Sequence, residues 1–593
     1  MSLPTYLPPD LRSLLENTVI KARVASESGA NAALVALSVA EPRSPFDAGS
    51  PQGRLRNGLR ARARQLGDGR EGDGMAQLVE EVAYVQWHRM LFARFLAENG
   101  LLVHPSGAAV SLEECAELAP EEGEPDEWML AARYAAQMLP GIFPLDDPSA
   151  QVRFAPDDRQ ALEALLKSLP ASVFAAEDAL GWVYQFWQTK KKAEVNQSGR
   201  KIGGEDISPV TQLFTEPYMV RFLLENSLGA WWAARHPQSP LLRSFDYLRF
   251  RDDGTPAAGT FPGWPDRVAK VTMMDPSCGS GHFLVVGFGM LRRMRMEEEG
   301  LSEAAAGDAV LRENLYGLEL DPRCTQIAAF ALAMAAWKAG GVRPLPVPHV
   351  VCCGIPVQGQ LETWQEMAGG NAKLQTAMER LYELFRNAPD LGSLINPASL
   401  PTENRMFTAD YAEVAPLLAK ALAAEKTKDD PAAAVFGAAA RGVAMAAELL
   451  AGTYTLVATN VPYLVRKKQD EILKSYCVTR YPASCADLAT VFIERCREMC
   501  QPGGTHAVVS PQNWLFLGSY QGLRRLILDE QTWTHATRLG SGATATESWE
   551  VLRALTIVTN SRPPSEAVIT GIDAGLPSEA QKTLALREAP ILV

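Results

Sequence analysis

The chain has 593 residues, 47% of them hydrophobic and 21% charged, which suits several packed domains and excludes a disordered or fibrous protein. Its net charge of −12 excludes a global pull toward phosphate, so nucleic-acid binding has to come from local basic patches or from a partner. Nine scattered cysteines without a CxxC pair fit free thiols in a reducing compartment. Cys496 and Cys500 could share a helix face, but no histidine stands near them and no metal site is expected. The start MSLPTYLPPDLRSLLEN lacks the basic end and apolar core of a signal peptide. No uncharged apolar run approaches the roughly 18 residues that span a bilayer, so the expectation is a cytoplasmic protein with no membrane partner.

Residues 1–205 carry long helical periodicities, as in LVEEVAYVQWHRMLFARFLAENG and ALGWVYQFWQTKKKAEV, and predict an N-terminal α-helical domain. Within it Arg54, Arg56, Arg60, Arg62, Arg64 and Arg70 crowd a short span, either as a solvated helix face or as a patch for phosphates. From about 206 the pattern becomes apolar strand, turn and helix: KVTMMDPSCGSGHFLVVGFGMLRRM, ENLYGLELDPRCTQIAAFALAMAAW, HVVCCGIPV. Such alternation predicts an α/β, Rossmann-like, doubly wound sheet over 206–563, with ligands at the C-terminal strand ends. Residues 358–450 read as a helical insertion. The sheet resumes with TYTLVATN, THAVVSPQNWLF and VLRALTIVTN. Residues 564–593 are too few for another domain and are expected to be a linker or the start of one not present here.

The candidate chemistry lies at three strand ends. In DPSCGSGHF, Asp275 ends a strand and Gly279 and Gly281 flank Ser280. Glycines there let backbone N–H groups approach a ligand, and the next helix presents its positive end. The spacing is neither GxGxxG nor a Walker loop, and a merely tight turn fits it too. In LYGLELDP, Glu319 is placed to accept hydrogen bonds from ribose hydroxyls, while Asp321 suits a cap for the helix beginning near Pro322. In TNVPYL, Asn460, Val461, Pro462 and Tyr463 bring an amide, a backbone carbonyl and an aromatic ring to one loop. The amine of adenine is a poor nucleophile because its lone pair is delocalised into the ring. Two acceptors, the Asn460 side-chain oxygen and the Val461 carbonyl, can hold its hydrogens and aim that lone pair, while Tyr463 stacks on a base taken out of the helix.

Together DPSCGSGHF and NVPY resemble the signature of gamma-order N6-adenine DNA methyltransferases that use S-adenosyl-L-methionine. TQLFTEPYMVRFLLENSLG is similar to the helix motif that precedes that signature, and SGATATESWEVLRALTIVTN to the strand pair that ends the catalytic domain. The resemblance covers roughly 180–560. It is closest to the large methyltransferases of bacterial phage-defence systems of the BREX (PglX-like) and DISARM kinds. It implies that Asn460, Val461, Pro462 and Tyr463 are catalytic. It also implies that the cofactor is held by Phe214, Thr215 and Pro217, by the turn residues Asp275, Pro276, Ser277, Cys278, Gly279, Ser280, Gly281 and Phe283, and by Glu319 and Leu320. The implied substrate is double-stranded DNA, marked at a short motif, with other proteins of the defence system as partners and no metal.

Three departures bear on that carry-over. Val461 stands where the family has a proline; extended geometry before Pro462 is kept, but valine brings an N–H that needs a partner. Ile355, in VVCCGIPV, stands where the family has an acid that contacts the cofactor's adenine; one hydrogen bond fewer is worth about 0.5–1.5 kcal/mol, or two- to tenfold in affinity. The family usually reads its sequence with a large target-recognition domain after the catalytic one, so the chain is expected to be a fragment or to borrow recognition from a partner. The competing expectations are a methyltransferase acting on RNA or on protein glutamine, and a cofactor-binding scaffold subunit without catalysis. Three further features read as bland: the basic run Arg466, Lys467 and Lys468 suits a surface helix as well as phosphates, Gly503–Gly504 suits a turn before a strand, and His282 suits packing.

Overall fold

The structure is a computed structural model that describes residues 6–68, 75–140, 142, 147–357, 360–366, 368, 370–397, 431–542 and 551–593. Its strands are Met273–Asp275 (β1), Leu315–Glu319 (β2), His349–Cys352 (β3), Tyr454–Asn460 (β4), Cys500–Pro511 (β5), Thr532–Gly540 (β6), Arg553–Thr559 (β7) and Thr570–Asp573 (β8). They form one sheet in the order β3-β2-β1-β4-β5-β7-β6-β8. The first five are mutually parallel, β7 runs antiparallel to β5 and β6, and β8 is parallel to β6. The chain winds outward from β1 to β3 and then returns to lay β4 on the other side of β1, pairing Met274 with Val457. That reversal makes the topological switch point of a doubly wound sheet, where a crevice opens beyond the strand ends.

The strands read as continuous apolar runs because both faces are covered. Met274, Leu318, Val457 and Val508 belong to one buried cluster, whereas Met273, Leu315, Leu456, Ala507 and Val509 belong to another, as period-two alternation requires. The second face packs on helices Pro217–Leu224 and His282–Glu299. The first packs on helix Leu488–Met499 and on Met378, Leu381, Phe385, Leu394, Val443 and Ala447. Residues 358–450, expected as an insertion, are therefore helical where described and form one layer of the sandwich. Residues 398–430 lie outside the described residues.

The N-terminal part is helical as far as helix Ala179–Ser198. Its core of Trp87, Phe92, Trp182 and Trp187 is continuous with Phe330, Met334 and Trp337 of helix Pro322–Gly340, which follows β2. The basic cluster falls on helix Pro51–Leu66 and is largely committed internally: Arg56 donates to the Ser38 and Glu41 carbonyls, Arg60 to Val39 and Glu41, and Arg62 pairs with Glu81. Arg70 lies outside the described residues.

Three segments differ from expectation. Thr532–Gly540 forms a strand without an apolar alternation in its sequence, because it buries polar side chains; the His535 ring meets the Thr570 and Thr537 hydroxyls, each at 2.8 Å. Gly503 and Gly504 sit inside β5, opposite a register shift between Tyr454 and Leu456, and a Cβ on Gly504 would stand 2.8 Å from the Tyr454 carbonyl. Residues 564–593, expected to be a linker or the start of another domain, supply the edge strand β8 and helix Glu579–Glu588, with Ile572, Ala574 and Leu586 in the core.

Candidate active site

The turn after β1 is shaped by its glycines. Gly279 and Gly281 adopt φ of +52° and +90°, the left-handed region that side chains rarely enter. A Cβ on Gly281 would stand 3.0 Å from Ala328. The turn is bound to the tip of β2: the Cys278 N–H donates to the Leu318 carbonyl at 3.0 Å and the Gly279 N–H to Glu319 Oε2 at 2.8 Å. Glu319 Oε1 accepts from the Leu320 and Asp321 N–H groups at 2.8 and 3.1 Å. Oε2, with one protein donor, keeps a lone pair for a ligand. Burial pushes the Glu319 carboxyl up to about 7. Asp275 is also pushed up to about 7, by burial and then by Glu319, while its Oδ1 accepts the Ser277 N–H at 3.1 Å. Asp321 caps helix Pro322–Gly340. Although burial opposes it, the paired Arg323 holds the Asp321 carboxyl below its usual range, and the Tyr184 hydroxyl also donates to it.

The loop after β4 faces this turn across the switch point. Asn460 Nδ2 donates to Thr215 Oγ1 at 3.0 Å, and the Tyr463 hydroxyl donates to Asn460 Oδ1 at 2.9 Å. These contacts set the amide so that Oδ1 retains one free lone pair. The Val461 N–H, which a proline would lack, donates to the Val509 carbonyl at 3.2 Å, and the Val461 side chain is buried. Valine at that place is accommodated.

A cleft runs between the two loops. Its walls include Phe214, Thr215, Asp275, Pro276, Ser277, Cys278, Gly279, Ser280, Phe283, Glu319, Leu320, Asn460, Val461 and Pro462. Of the residues singled out in the sequence, Pro217, Gly281 and Tyr463 lie behind the wall. Pro217 opens helix Pro217–Leu224, Gly281 precedes helix His282–Glu299, and Tyr463, which does not line the cleft, is bonded through its hydroxyl to Asn460.

The cleft also has walls that the motifs did not announce. Helix Ala179–Ser198 contributes Gly181 and Gln185. Gln185 Oε1 accepts the Phe214 N–H at 3.0 Å, and Trp182 stacks on Phe214 at 4.1 Å. A Cβ on Gly181 would stand 2.7 Å from the Phe214 ring and 2.9 Å from His282. A glycine in the first turn of this helix was a legible signal of this close approach. His282 lines the cleft edge-on to Phe214, its imidazole pushed down to about 4 by burial. Residues 390–394 form another wall, joined by Leu488 and Phe492. That wall is pinned by the buried Arg495, which donates to the carbonyls of Ser393, Ile395 and Leu450 at 2.9, 2.8 and 3.0 Å. Ile355 is not part of the lining and sits against Gly442. Asp390 brings a third carboxylate to the cleft, its carboxyl raised by burial and by Asp470. Among the described residues no helix is long and apolar enough to cross a membrane, and no group of His, Cys, Asp and Glu is arranged for a metal.

Residues 313–543, which include Glu319 and the Asn460 loop, match the Eco57I restriction-modification methylase model. Residues 261–342, which include the glycine turn, match the DNA-methyltransferase domain of MmeI. The adenine-specific methyltransferase BrxX of Escherichia coli O9:H4 (strain HS) is 28% identical over 546 residues, covering 81% of this chain and 44% of that protein. The adenine-specific methyltransferase PglX of Lacticaseibacillus casei (strain Zhang) is 25% identical over 527 residues, covering 79% and 43%. The chain thus spans less than half the length of these two relatives. A DrdV–DNA complex is a looser structural likeness, with a TM-score of 0.47 and 13% identity over 98% of this chain and 45% of that one. The chain is thus similar to adenine-specific methyltransferases named BrxX and PglX, and its residues 313–543, part of which line the cleft, match the Eco57I methylase model.

Proposed function

We propose that the chain is the catalytic part of a site-specific DNA methyltransferase that moves a methyl group from S-adenosyl-L-methionine to N6 of an adenine turned out of the duplex. The observation that carries this reading is the shared cleft: an orienting amide, Asn460, stands at one end and a nucleoside-type cradle, the glycine turn with Glu319, at the other. The cradle fits the donor. The free lone pair on Glu319 Oε2 suits a ribose hydroxyl, and Leu320, Leu391, Leu394 and Phe492 offer an apolar slot for a purine. The N-terminal end of helix His282–Glu299, positive by its dipole, would hold a carboxylate of the donor. Asp390, whose Oδ1 accepts the Gly204 N–H, is the cleft carboxylate that would meet the purine's amine in place of Ile355. When bound, the donor supplies the methyl group.

This chain's residues supply orientation. Asn460 Oδ1 and the Val461 carbonyl accept the two hydrogens of the target amine and aim its lone pair along the transfer direction. Thr215 holds the amide from the other side. The proton that the amine loses passes to solvent once the new N–C bond has formed, and no strong base is required. Double-stranded DNA as substrate, other proteins of a phage-defence system as partners and a cytoplasmic location complete the reading; the names of the relatives support it.

The test is transfer of a labelled methyl group from the cofactor to genomic DNA that lacks N6-methyladenine, followed by separation of the nucleosides. Label in N6-methyladenosine's deoxy form supports the reading. Label in RNA or protein alone, or cofactor binding without transfer to DNA in the presence of the partner proteins, contradicts it.

A further inference from the structure

The segment after β5 leaves the sheet beside the Asn460 loop, since Asn460 is registered against Val509 and the Val461 N–H is bonded to the Val509 carbonyl. It then shows two adjacent large apolar side chains to solvent, Phe516 at 58% and Leu517 at 44% exposure. Their backbone is held firmly. Trp514 is buried, stacked on Trp533 at 5.4 Å, and donates to Ser510 Oγ at 3.0 Å. Both the Phe516 and Leu517 N–H groups donate to the Asn513 carbonyl, and Arg524 donates to the Trp514 and Leu517 carbonyls at 2.6 and 2.8 Å. A preset backbone carrying exposed apolar tips suits insertion better than local packing.

The surroundings select the occupant. In a chain of net charge −12, residues 461–469 and 512–525 carry Arg466, Lys467, Lys468, Arg524 and Arg525 and no carboxylate. Arg466, Lys467, Lys468 and Arg525 are exposed. Both loops pack on the same segment, 483–487: Val465 is bridged to Asp487, and a Cβ on Gly522 would rest 3.5 Å from Ala483. An apolar tip carried with cations on a segment that leaves the sheet beside Asn460 matches a polyanion with a stacked apolar interior.

We propose that Phe516 and Leu517 form a wedge that enters the base stack of duplex DNA and fills the vacancy left by the base that enters the cleft, while Arg466, Lys467, Lys468 and Arg525 hold the flanking phosphates. The inference rests on the reading of the cleft as a base-accepting methyltransferase site. Apolar wedges of this kind unstack a base step in exchange for a larger contact, and extrusion of the target base is what makes its amine reachable.

The test compares binding of the whole chain to a duplex containing one abasic position and to the intact duplex of the same sequence, at one salt concentration. Because the abasic duplex needs no unstacking, the wild-type chain is expected to prefer it by on the order of tenfold. The Phe516→Ala/Leu517→Ala variant is expected to lose that preference while keeping its melting temperature and its affinity for the intact duplex within about twofold, as suits two exposed side chains. Phe516→Leu should keep the preference. Lys467→Ala/Lys468→Ala should weaken both duplexes alike and flatten the salt dependence. Equal binding of the two duplexes by the wild type, or an unchanged preference in the double variant, overturns the wedge. Methyl transfer to DNA alongside either result leaves the function reading standing and removes the wedge alone. Absence of both methyl transfer and DNA binding removes both.

Discussion

Asn460 is held by two hydrogen bonds that do different work. Thr215 fixes which end of the amide faces the cleft, and Tyr463 occupies only one of the two lone pairs on Oδ1. Asn460→Ala is therefore expected to abolish methyl transfer, with cofactor affinity measured by calorimetry staying within a few-fold; a large loss of affinity would mean that the two loops do not divide the labour in this way. The paired carboxyls give a second expectation. Asp275 and Glu319 are both pushed up to about 7 in the free chain, so between pH of about 4 and 7 the folded state carries protons that the unfolded state has lost. Their contribution to stability is present at low pH and declines as pH rises through that window. A ribose hydroxyl donating to Glu319 favours its charged form and lowers its pKa. Cofactor binding near pH 6.5 should thus release protons and tighten toward pH 8, which calorimetry in buffers of different ionisation enthalpy measures directly; proton uptake would contradict the assignment of Glu319 to the ribose.

At the scale of elements, the motif-bearing turns were legible and the walls between them were not. A strand that ends in Asp275 before Gly279 and Gly281, or one that delivers Asn460 to a proline-containing loop, announces itself through local backbone demands. The wall at 390–394 depends on contacts such as Gly392 with Leu320 and on three carbonyls collected by Arg495, about one hundred residues further along the chain; no local pattern encodes those pairings. Strand β6 was hidden for a related reason, since His535 and Thr537 satisfy each other inside the sheet and break the apolar alternation. Arg495→Leu tests the wall. Three buried carbonyls would lose a charged donor, a cost of about 3 kcal/mol or more, and the 390–394 wall would loosen. Chemical denaturation should show that loss, together with weaker cofactor binding. Unchanged stability would mean that the wall does not depend on Arg495.

The whole molecule is knit more tightly than its sequence blocks suggest. Composition separates residues 1–205 from the sheet that follows, yet helix Ala179–Ser198 lines the cleft through Gly181 and Gln185 and positions Phe214. The N-terminal helices also share a core with Phe330, Met334 and Trp337. Removing residues 1–198 should therefore give an aggregating product or one that no longer binds cofactor, as judged by gel filtration and calorimetry; a monomeric, cofactor-binding remainder would show that the helical part is an independent module. The central claim, that the cleft marks adenine in DNA through Asn460, is tested most directly by sequencing, with a method that reads N6-methyladenine, the genome of a methylation-free bacterial host expressing the chain with its neighbouring genes, beside an Asn460→Ala control. The account predicts one short motif modified throughout the genome and unmodified in the control. A motif equally modified in the control, or a genome left bare while soluble protein binds the cofactor, would contradict it.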